Sequence, residues 1–377
     1  MIKKLKLLSL LLFPLSIFIN TVLSRYPHFI EKYYSISINK FIVEILSNIS
    51  GIFPFSIYEI TMYLIVISIT LFVIYTIYII ISSPNKLKVF IKNSLLNILS
   101  IISIFYFLFI ILWGLNYNRM PLETTLIENY NLKYNKSISS IDKTKEDLAN
   151  LYEFLIENAN ETRKLVKSSD GVMKANTDYK GIINRAYLGY ENILDLLPNL
   201  SGNYSNAKYV MSSKLMCYTG ITGIYFPFTG EANVNVAIPD IYIPSTTLHE
   251  MAHQRGYASE DEANFIAYLA SINHPDIDFK YSGYILALNH TANALYSADY
   301  DTYVALSKNI SEDVLFDLRN NREFWKRYEG KIDDISNEIN NTYLKANGVS
   351  EGVKSYGKMV DLLLVYYSLY PYKNYNS

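Results

Sequence analysis

Two histidines and a glutamate, packed into one short stretch, carry the strongest chemical signal in this sequence. His249-Glu250-Met251-Ala252-His253 is a complete HExxH motif. On a helix, positions i and i+4 lie on the same face, so the imidazoles of His249 and His253 can bind one metal ion. In zinc hydrolases the glutamate of this motif stands beside the metal-bound water and acts as general base, which makes Glu250 the predicted catalytic residue. The chain has only five histidines, so a chance HExxH is improbable.

A catalytic zinc site needs three protein ligands, and the third must come from outside the motif. We predict Glu262, because Gly256 can end the first helix as a left-handed cap and Ser259 can begin a second helix that folds back toward it. Ser259 and Glu262 also have the spacing of a capping box, in which the glutamate would serve only the helix N-terminus. Glu260 and Asp261 are therefore the alternative ligands, and Zn²⁺ is the predicted cofactor.

The stretch before the motif predicts strands and turns, because glycines punctuate short runs rich in Tyr, Val and Ile. Residues 232–238 alternate in polarity, with Asn233 and Asn235 on the predicted open face. In zinc peptidases an edge strand upstream of the HExxH helix binds extended substrate through its main chain. We predict that Asn233 and Asn235 hold a peptide backbone. The alternative is an ordinary half-buried strand whose asparagines contact water.

A group that stabilises the transition state would complete such a site. His290 and Tyr257 are the two residues that we nominate. For His290 the alternative is a satisfied core or surface histidine, and Tyr281 and Tyr284 compete with Tyr257. The chain contains 35 tyrosines, so residue type alone does not choose among them.

The N-terminal third of the chain is predicted to cross a membrane. Residues 5–23, 60–81 and 95–115 are each close to the roughly 20 apolar residues that a span requires. We expect the first of them to be an uncleaved anchor rather than a signal peptide. Trp113 and Tyr117 suit the interfacial belt at the end of the third span. Basic residues precede the first span and follow the second, and the positive-inside rule assigns both groups to the cytoplasm: Lys3, Lys4, Lys6, Lys86, Lys88 and Lys92.

Two domains follow from this pattern. Residues 1–115 form the predicted membrane domain with three spans, and an odd number of spans leaves residues 116–377 as an extracytoplasmic domain. Amphipathic helical periodicity at residues 140–167 and 181–196 supplies a core for that domain. The net charge of −1 gives no support to nucleic-acid binding. The expected partners are the lipid bilayer and a peptide or protein substrate.

Two family resemblances extend this interpretation. The HExxH motif followed by residues 260–265 resembles the gluzincin pattern of metallopeptidases, in which two histidines and a downstream glutamate hold zinc. This resemblance implies Glu262 as the third ligand, although only eight residues separate His253 from Glu262, fewer than in most gluzincins. The chain as a whole is similar to an uncharacterised family of bacterial multi-pass membrane proteins. The blocks that carry this likeness are Trp113-Gly114-Leu115-Asn116-Tyr117, residues 249–256, Ser355-Tyr356-Gly357 and Val360-Asp361-Leu362-Leu363-Leu364.

The resemblances imply N-terminal transmembrane α-helices followed by a mainly α, α+β zincin-like domain with a small β-sheet next to the HExxH helix. The function they imply is that of a membrane-anchored zinc metallopeptidase, with Glu250 as general base. One alternative is a zinc-containing membrane sensor or scaffold that cuts nothing. Another is a zinc hydrolase that acts on a cell-wall or lipid-linked envelope substrate.

Overall fold

The N-terminal region consists of long apolar helices. The computed structural model describes residues 2–346 and 357–371, and this part is mostly helical with small sheets. By length and composition, three of its helices can cross a membrane: Lys4–Leu23, Ile57–Ser82 and Pro84–Leu112. They coincide with the predicted spans, although the third begins earlier than predicted and ends before Trp113. The helices of this region are α1 (Ile2–Ser9), α2 (Leu12–Leu23), α3 (Pro27–Phe29), a π-helix (Ile30–Asn39), α4 (Lys40–Gly51), α5 (Ile57–Ser82) and α6 (Leu87–Leu112).

The segment between the first two spans is folded and lies against the end of the third. The hydroxyl of Tyr34 donates a hydrogen bond to the carbonyl oxygen of Ile111 at 2.8 Å. The side-chain amide of Asn39 donates to the carbonyl oxygen of Leu112 at 2.7 Å. Residues 30–51 therefore lie at the end of α6 from which the chain enters its second half.

The second half is a helical body with a sheet at one side. Its main core is formed by α8 and by the helices that contain and follow the HExxH motif. The amphipathic pattern at residues 140–167 predicted a helix, and α8 lies there. It begins with a capping box formed by Thr144 and Asp147. The elements up to the motif are α7 (Leu122–Tyr134), α8 (Lys145–Leu165), β1 (Lys167–Ser169), β2 (Val172–Lys174), α9 (Tyr179–Arg185), α10 (Tyr187–Glu191), β3 (Lys208–Tyr209), α11 (Ser213–Cys217), β4 (Gly223–Phe226) and β5 (Glu231–Val234).

The HExxH motif lies on α12, which packs against two further core helices and the sheet. The late block of the family resemblance falls partly outside the described residues, since Ser355 and Tyr356 are not among them, while residues 360–364 lie within the last helix. The elements from the motif onward are α12 (Ile243–Gln254), α13 (Glu260–Ile272), α14 (Ile277–Ala298), α15 (Tyr300–Ser307), α16 (Glu312–Lys326), α17 (Lys331–Ala346) and α18 (Lys358–Leu369).

The sheet beside α12 has the strand order β3-β5-β4. β5 pairs in parallel with β3 and antiparallel with β4, so the strand predicted from residues 232–238 is central rather than at an edge. It is also shorter than predicted, because it ends at Val234. The edge strand next to α12 is β4. A sequence pattern alone does not reveal this order, since the pairing of β3 with β5 joins residues far apart in the chain.

A buried glutamate on β5 ties the sheet to the second span. The carboxylate of Glu231 accepts hydrogen bonds from the backbone N–H groups of Ile57 at 3.1 Å and Tyr58 at 2.8 Å, the first residues of α5. It also forms an ion pair with the ammonium group of Lys208 at 2.7 Å, and both side chains are almost fully buried. A carboxylate at a helix N-terminus is favoured by the helix dipole. Glu231 therefore fixes the start of α5 against the sheet.

We expect Glu231→Ala to destabilise the protein by about 3–5 kcal/mol, because it leaves the buried Lys208 ammonium without its carboxylate. Thermal unfolding of the full chain in detergent measures this effect. The control is Glu161→Ala, since Glu161 forms an exposed ion pair with Lys164, and exposed pairs contribute about 0–1 kcal/mol. Equal stability of the two variants would contradict the anchoring role of Glu231.

Candidate metal centre

The helix that carries the motif ends in a turn built around one glycine. Gly256 has a φ of +81°, the left-handed conformation that glycine adopts without strain. Its N–H donates to the carbonyl oxygen of His253 at 2.8 Å, and the N–H of Tyr257 donates to that of Ala252 at 3.2 Å. This pair of bonds is a Schellman motif. The predicted cap at Gly256 is confirmed, and it turns the chain so that α13 folds back across α12.

Three side chains from α12 and α13 meet with the spacing of metal ligands. The Nε2 atoms of His249 and His253 lie 3.1 and 3.6 Å from the Oε2 atom of Glu260. One ligand atom from each of the three residues lies within 4.8 Å of the others. Ligand atoms at about 2.0–2.1 Å from a tetrahedral zinc ion are about 3.3 Å apart. The two distances to Glu260 lie on either side of this value, so the three residues could hold a zinc ion.

Glu262, the predicted third ligand, is not part of this group. Its carboxylate accepts a hydrogen bond from the backbone N–H of Leu122 at 2.7 Å. Residues two apart on a helix point to different faces, so the start of α13 at Glu260 directs Glu260 toward the histidines and Glu262 away from them. The side chain of Ser259 makes no capping bond, so the capping-box alternative is not formed either. Asp261 accepts a hydrogen bond from the N–H of Met359 at 3.1 Å.

The His253 ring is oriented by the same turn. Its Nδ1 atom lies 2.6 Å from the carbonyl oxygen of Tyr257, which can only accept, so Nδ1 carries a proton and Nε2 is the nitrogen that can bind a metal ion. Burial lowers the pKa of His253, but the negative charges of Glu260 and Glu250 and the hydrogen bonds to Glu260 and Tyr257 together raise that pKa to about 9. The strong negative potential of Glu260 at this point favours a bound cation.

Glu250 lies at the edge of the group, with one carboxylate oxygen unused. The side chain is buried, and its Oε2 atom has no hydrogen-bond partner among the described residues. An unpaired buried oxygen of this kind indicates an unseen water or ion. Burial raises the pKa of Glu250 to about 7, although the neighbouring histidines lower it. On its other side, a Cβ at Gly223 would lie 2.4 Å from the Oε1 atom of Glu250, so any larger residue at that position would displace the Glu250 side chain.

The two asparagines predicted to bind substrate are structural. Asn233 and Asn235 are fully buried. The Asn233 amide donates to the carbonyl oxygen of Ile224 at 3.2 Å, and the Asn235 amide donates to that of Ile221 at 2.9 Å. The prediction of an open face was wrong because other parts of the chain cover that face: the hydroxyl of Ser56 donates to Asn233 at 2.6 Å, and the Asn235 amide contacts Cys217 of α11 at 3.5 Å. Both asparagines hold the sheet together rather than facing a groove.

The two nominated stabilisers of the transition state occupy different surroundings. The Tyr257 ring is buried against the guanidinium group of Arg119, 3.8 Å from the ring centre. Tyr257 thus acts on the site through its carbonyl oxygen, and its side chain lines neither of the two cavities that contain His249. His290 lines the smaller of these cavities, about 440 Å³ in volume, together with His249 and Glu260. Its proposed role stays a prediction.

Trp113 forms a wall of the site, a role that the sequence prediction of an interfacial belt missed. It is only 4% exposed. Its ring meets that of His253 edge-on, with 5.7 Å between centres. The Trp113 indole N–H and the hydroxyl of Tyr117 both donate to the hydroxyl of Tyr343, at 3.3 and 3.1 Å. The sequence did mark this region, because Trp113 begins the Trp-Gly-Leu-Asn-Tyr block that is shared with the family. That block does not by itself indicate contact with the three candidate ligands.

Arg119 links the turn after α12, beside the candidate metal centre, to the segment between the first two apolar helices. Its guanidinium group forms a buried ion pair with Glu31 at 2.7 Å and donates to the carbonyl oxygen of Gly256 at 2.9 Å. The turn after α12 is therefore held by Arg119, and Arg119 is held by Glu31. These two residues lie on opposite sides of the predicted domain boundary at residue 115.

The larger cavity runs from the metal group toward the spans. Its volume is about 770 Å³, and its lining includes His249, Glu250, His253 and Glu260. One wall is the edge strand β4 and the other is the face of α17 that carries Asn337, Asn340 and Tyr343. His249 and Glu260 line both cavities, so the group of three ligands is reached from each of them.

Comparison with known proteins gives one family and no function. A family model described as "Protein of unknown function (DUF3810)" matches residues 34–364. Neither the curated proteins nor the solved structures contain a significant match. The matched region extends from the π-helix after the first apolar helix to the last helix, so it contains the second and third apolar helices and the three candidate metal ligands. The chain therefore belongs to the DUF3810 family.

Proposed function

We propose that this protein is a membrane-anchored zinc metallopeptidase. The observation that carries the proposal is the spacing of His249, His253 and Glu260, which matches the ligand spacing of a tetrahedral zinc ion, beside a buried glutamate with an unpaired oxygen. A structural zinc site uses four protein ligands, whereas a catalytic site uses three and keeps one position open. Three ligands at the wall of a groove support catalysis.

In this proposal each residue has one task. His249, His253 and Glu260 would hold the zinc ion, which when bound would supply Lewis acidity toward the scissile carbonyl group and toward the attacking water. Glu250 accepts the proton of the attacking water on its free Oε2 atom and later delivers it to the leaving amine. The carbonyl oxygen of Tyr257 keeps His253 in the tautomer that can bind the metal.

The position of the domain relative to the membrane is part of the proposal. The Lys6 ammonium group contacts Asn97 in the N-terminal half of α6. The basic residues before the first span and those around Pro84–Lys86 therefore both lie toward the N-terminal end of α6. The metal centre belongs to the other end. By the positive-inside rule the basic end faces the cytoplasm, which assigns the metal centre to the extracytoplasmic side.

The test is the zinc content and peptidase activity of the full chain, purified in detergent. We expect one zinc per chain, cleavage of members of a random peptide library, loss of cleavage with a chelator and recovery with Zn²⁺. Zinc without any peptide cleavage would favour the sensor or scaffold alternative. Cleavage of envelope extracts but not of peptides would favour the hydrolase of cell-wall or lipid-linked material. Absence of zinc from the folded protein would overturn the proposal.

We also expect Gly223→Ala to lower peptide turnover by roughly 10- to 100-fold without loss of zinc, because the new methyl group must displace the carboxylate of Glu250 and misplaced catalytic groups lose rate on this scale. Steady-state kinetics and metal analysis measure the two effects. The control is Gly330→Ala, since a Cβ at Gly330 meets nothing within 4 Å. Unchanged turnover in Gly223→Ala would show that the close approach of β4 does not position Glu250.

A further inference from the structure

The larger of the two cavities at the metal group ends against the membrane-spanning helices. The tip of the β4–β5 hairpin carries Phe228, whose ring packs on Phe105 of α6 with 5.5 Å between centres. Phe105 precedes Leu112, the last residue of α6, by seven residues, which is about 10 Å along the helix axis. Phe105 is itself 54% exposed. The hairpin tip therefore lies beside a part of α6 that a bilayer would surround.

The other side of the hairpin contacts the second span. The Phe226 ring packs on Tyr58, next to the first residue of α5, with 5.2 Å between centres. Phe226, Phe228 and Phe109 of α6 also line the larger cavity. That cavity thus extends continuously from Glu250 and the histidines to the aromatic side chains at the spans.

The wall formed by β4 has a free backbone edge. The N–H of Asn235 donates to the carbonyl oxygen of Thr222 at 2.9 Å, and Ile224 and Phe226 pair with β5 in the same register. Because bonded residues alternate along an antiparallel strand, Gly223 and Tyr225 direct their backbone N–H and C=O groups to the opposite edge. No strand among the described residues pairs with that edge. It can accept an extended peptide as an added strand.

The chemistry of the lining favours a peptide over a lipid-linked compound. Among the described residues that line the two cavities, none is lysine or arginine. Phosphate groups are bound in proteins mainly by such cations, and the helix N-terminus that reaches both cavities, that of α13, carries the carboxylate of Glu260. The lining does offer the backbone edge of β4 and the side-chain amides of Asn337 and Asn340 on the facing α17. These groups match the regular donors and acceptors of a polypeptide.

We infer that the substrate is the extended segment of a membrane-anchored protein that directly adjoins its membrane span. This inference rests on the proposed peptidase function and narrows its substrate class. The segment leaves the bilayer beside Phe105 and Phe228, lies along β4, and presents a peptide bond to Glu250. From Phe226 to Gly223 the strand covers about 10 Å, so cleavage falls about three to six residues from the span of the substrate.

The test uses the full chain in proteoliposomes with three probes. The first is a randomised ten-residue segment joined directly to a single-span apolar helix. In the second, a 20-residue Gly/Ser spacer separates the same segment from the helix. The third is the same segment as a soluble peptide. The Glu250→Gln variant serves as the inactive control for each probe, and mass spectrometry locates the cut.

We expect the directly joined segment to be cleaved at least 10-fold faster than the other two, within about six residues of the span. Equal rates for the joined and spaced segments would show that attachment to the membrane alone determines the rate. This result would overturn the inference and leave the peptidase function intact. Equal rates for all three probes would do the same. Absence of cleavage of every probe would overturn the peptidase proposal and this inference with it.

Discussion

Glu250→Gln is expected to abolish peptide hydrolysis while the protein keeps its zinc. Glutamine has nearly the same size and shape as glutamate but cannot accept the proton of a neutral water. General-base catalysis contributes roughly 10²- to 10⁴-fold to a rate, so we expect a loss of turnover within or above this range. The zinc content should stay the same, because Glu250 is not one of the three side chains that meet at the ligand group. Turnover and metal analysis on the same preparation measure both quantities.

The matched control for this substitution is Glu146→Gln. Glu146 is an exposed residue in the first turn of α8, far in the chain from the motif. We expect this variant to retain turnover within about twofold, as surface substitutions usually change little. If Glu250→Gln kept turnover within tenfold of the unaltered protein, the role of Glu250 as general base would be untenable. Loss of zinc in Glu250→Gln would instead assign it to the coordination of the metal.

The parts of the site that depend on local structure could be predicted from sequence. The i, i+4 spacing of His249 and His253 and the left-handed cap at Gly256 follow from the geometry of a single helix and its end. The three apolar helices also follow from local composition. Each of these features is determined by a contiguous stretch of the chain.

Features that depend on distant contacts could not be predicted in this way. Asn233 was expected on an open face, but it is buried there against Ser56, which is 177 positions away in the chain and donates a hydrogen bond to it. Trp113 has the residue type and the sequence position of an interfacial residue. Only its packing on His253 shows that it forms a wall of the groove. The sequence identifies the residues of the site, but their roles depend on contacts with residues that are distant in the chain.

The choice between Glu260 and Glu262 illustrates the same limit at the scale of one turn. Both residues are glutamates in the first turn of α13, and the gluzincin resemblance favours Glu262. The choice depends on which of them faces α12. Leu122, which is 140 positions away from Glu262 in sequence, donates its backbone N–H to the carboxylate of Glu262. That contact and the direction of α13 leave Glu260 facing the histidines.

We therefore expect opposite results from removing these two carboxylates. Glu260→Ala deletes a ligand, and because even residues that only support ligands change metal affinity by 10- to 100-fold, its zinc affinity should fall by more than about 100-fold. Glu262→Ala should retain zinc but lose about 1–3 kcal/mol of stability, because it leaves the Leu122 N–H without an acceptor. Competition with a chromophoric chelator and thermal unfolding of the full chain measure the two effects. Loss of zinc in Glu262→Ala with retention in Glu260→Ala would restore Glu262 as the ligand, and the start of α13 would then have to rotate by about half a turn to bring it to the histidines.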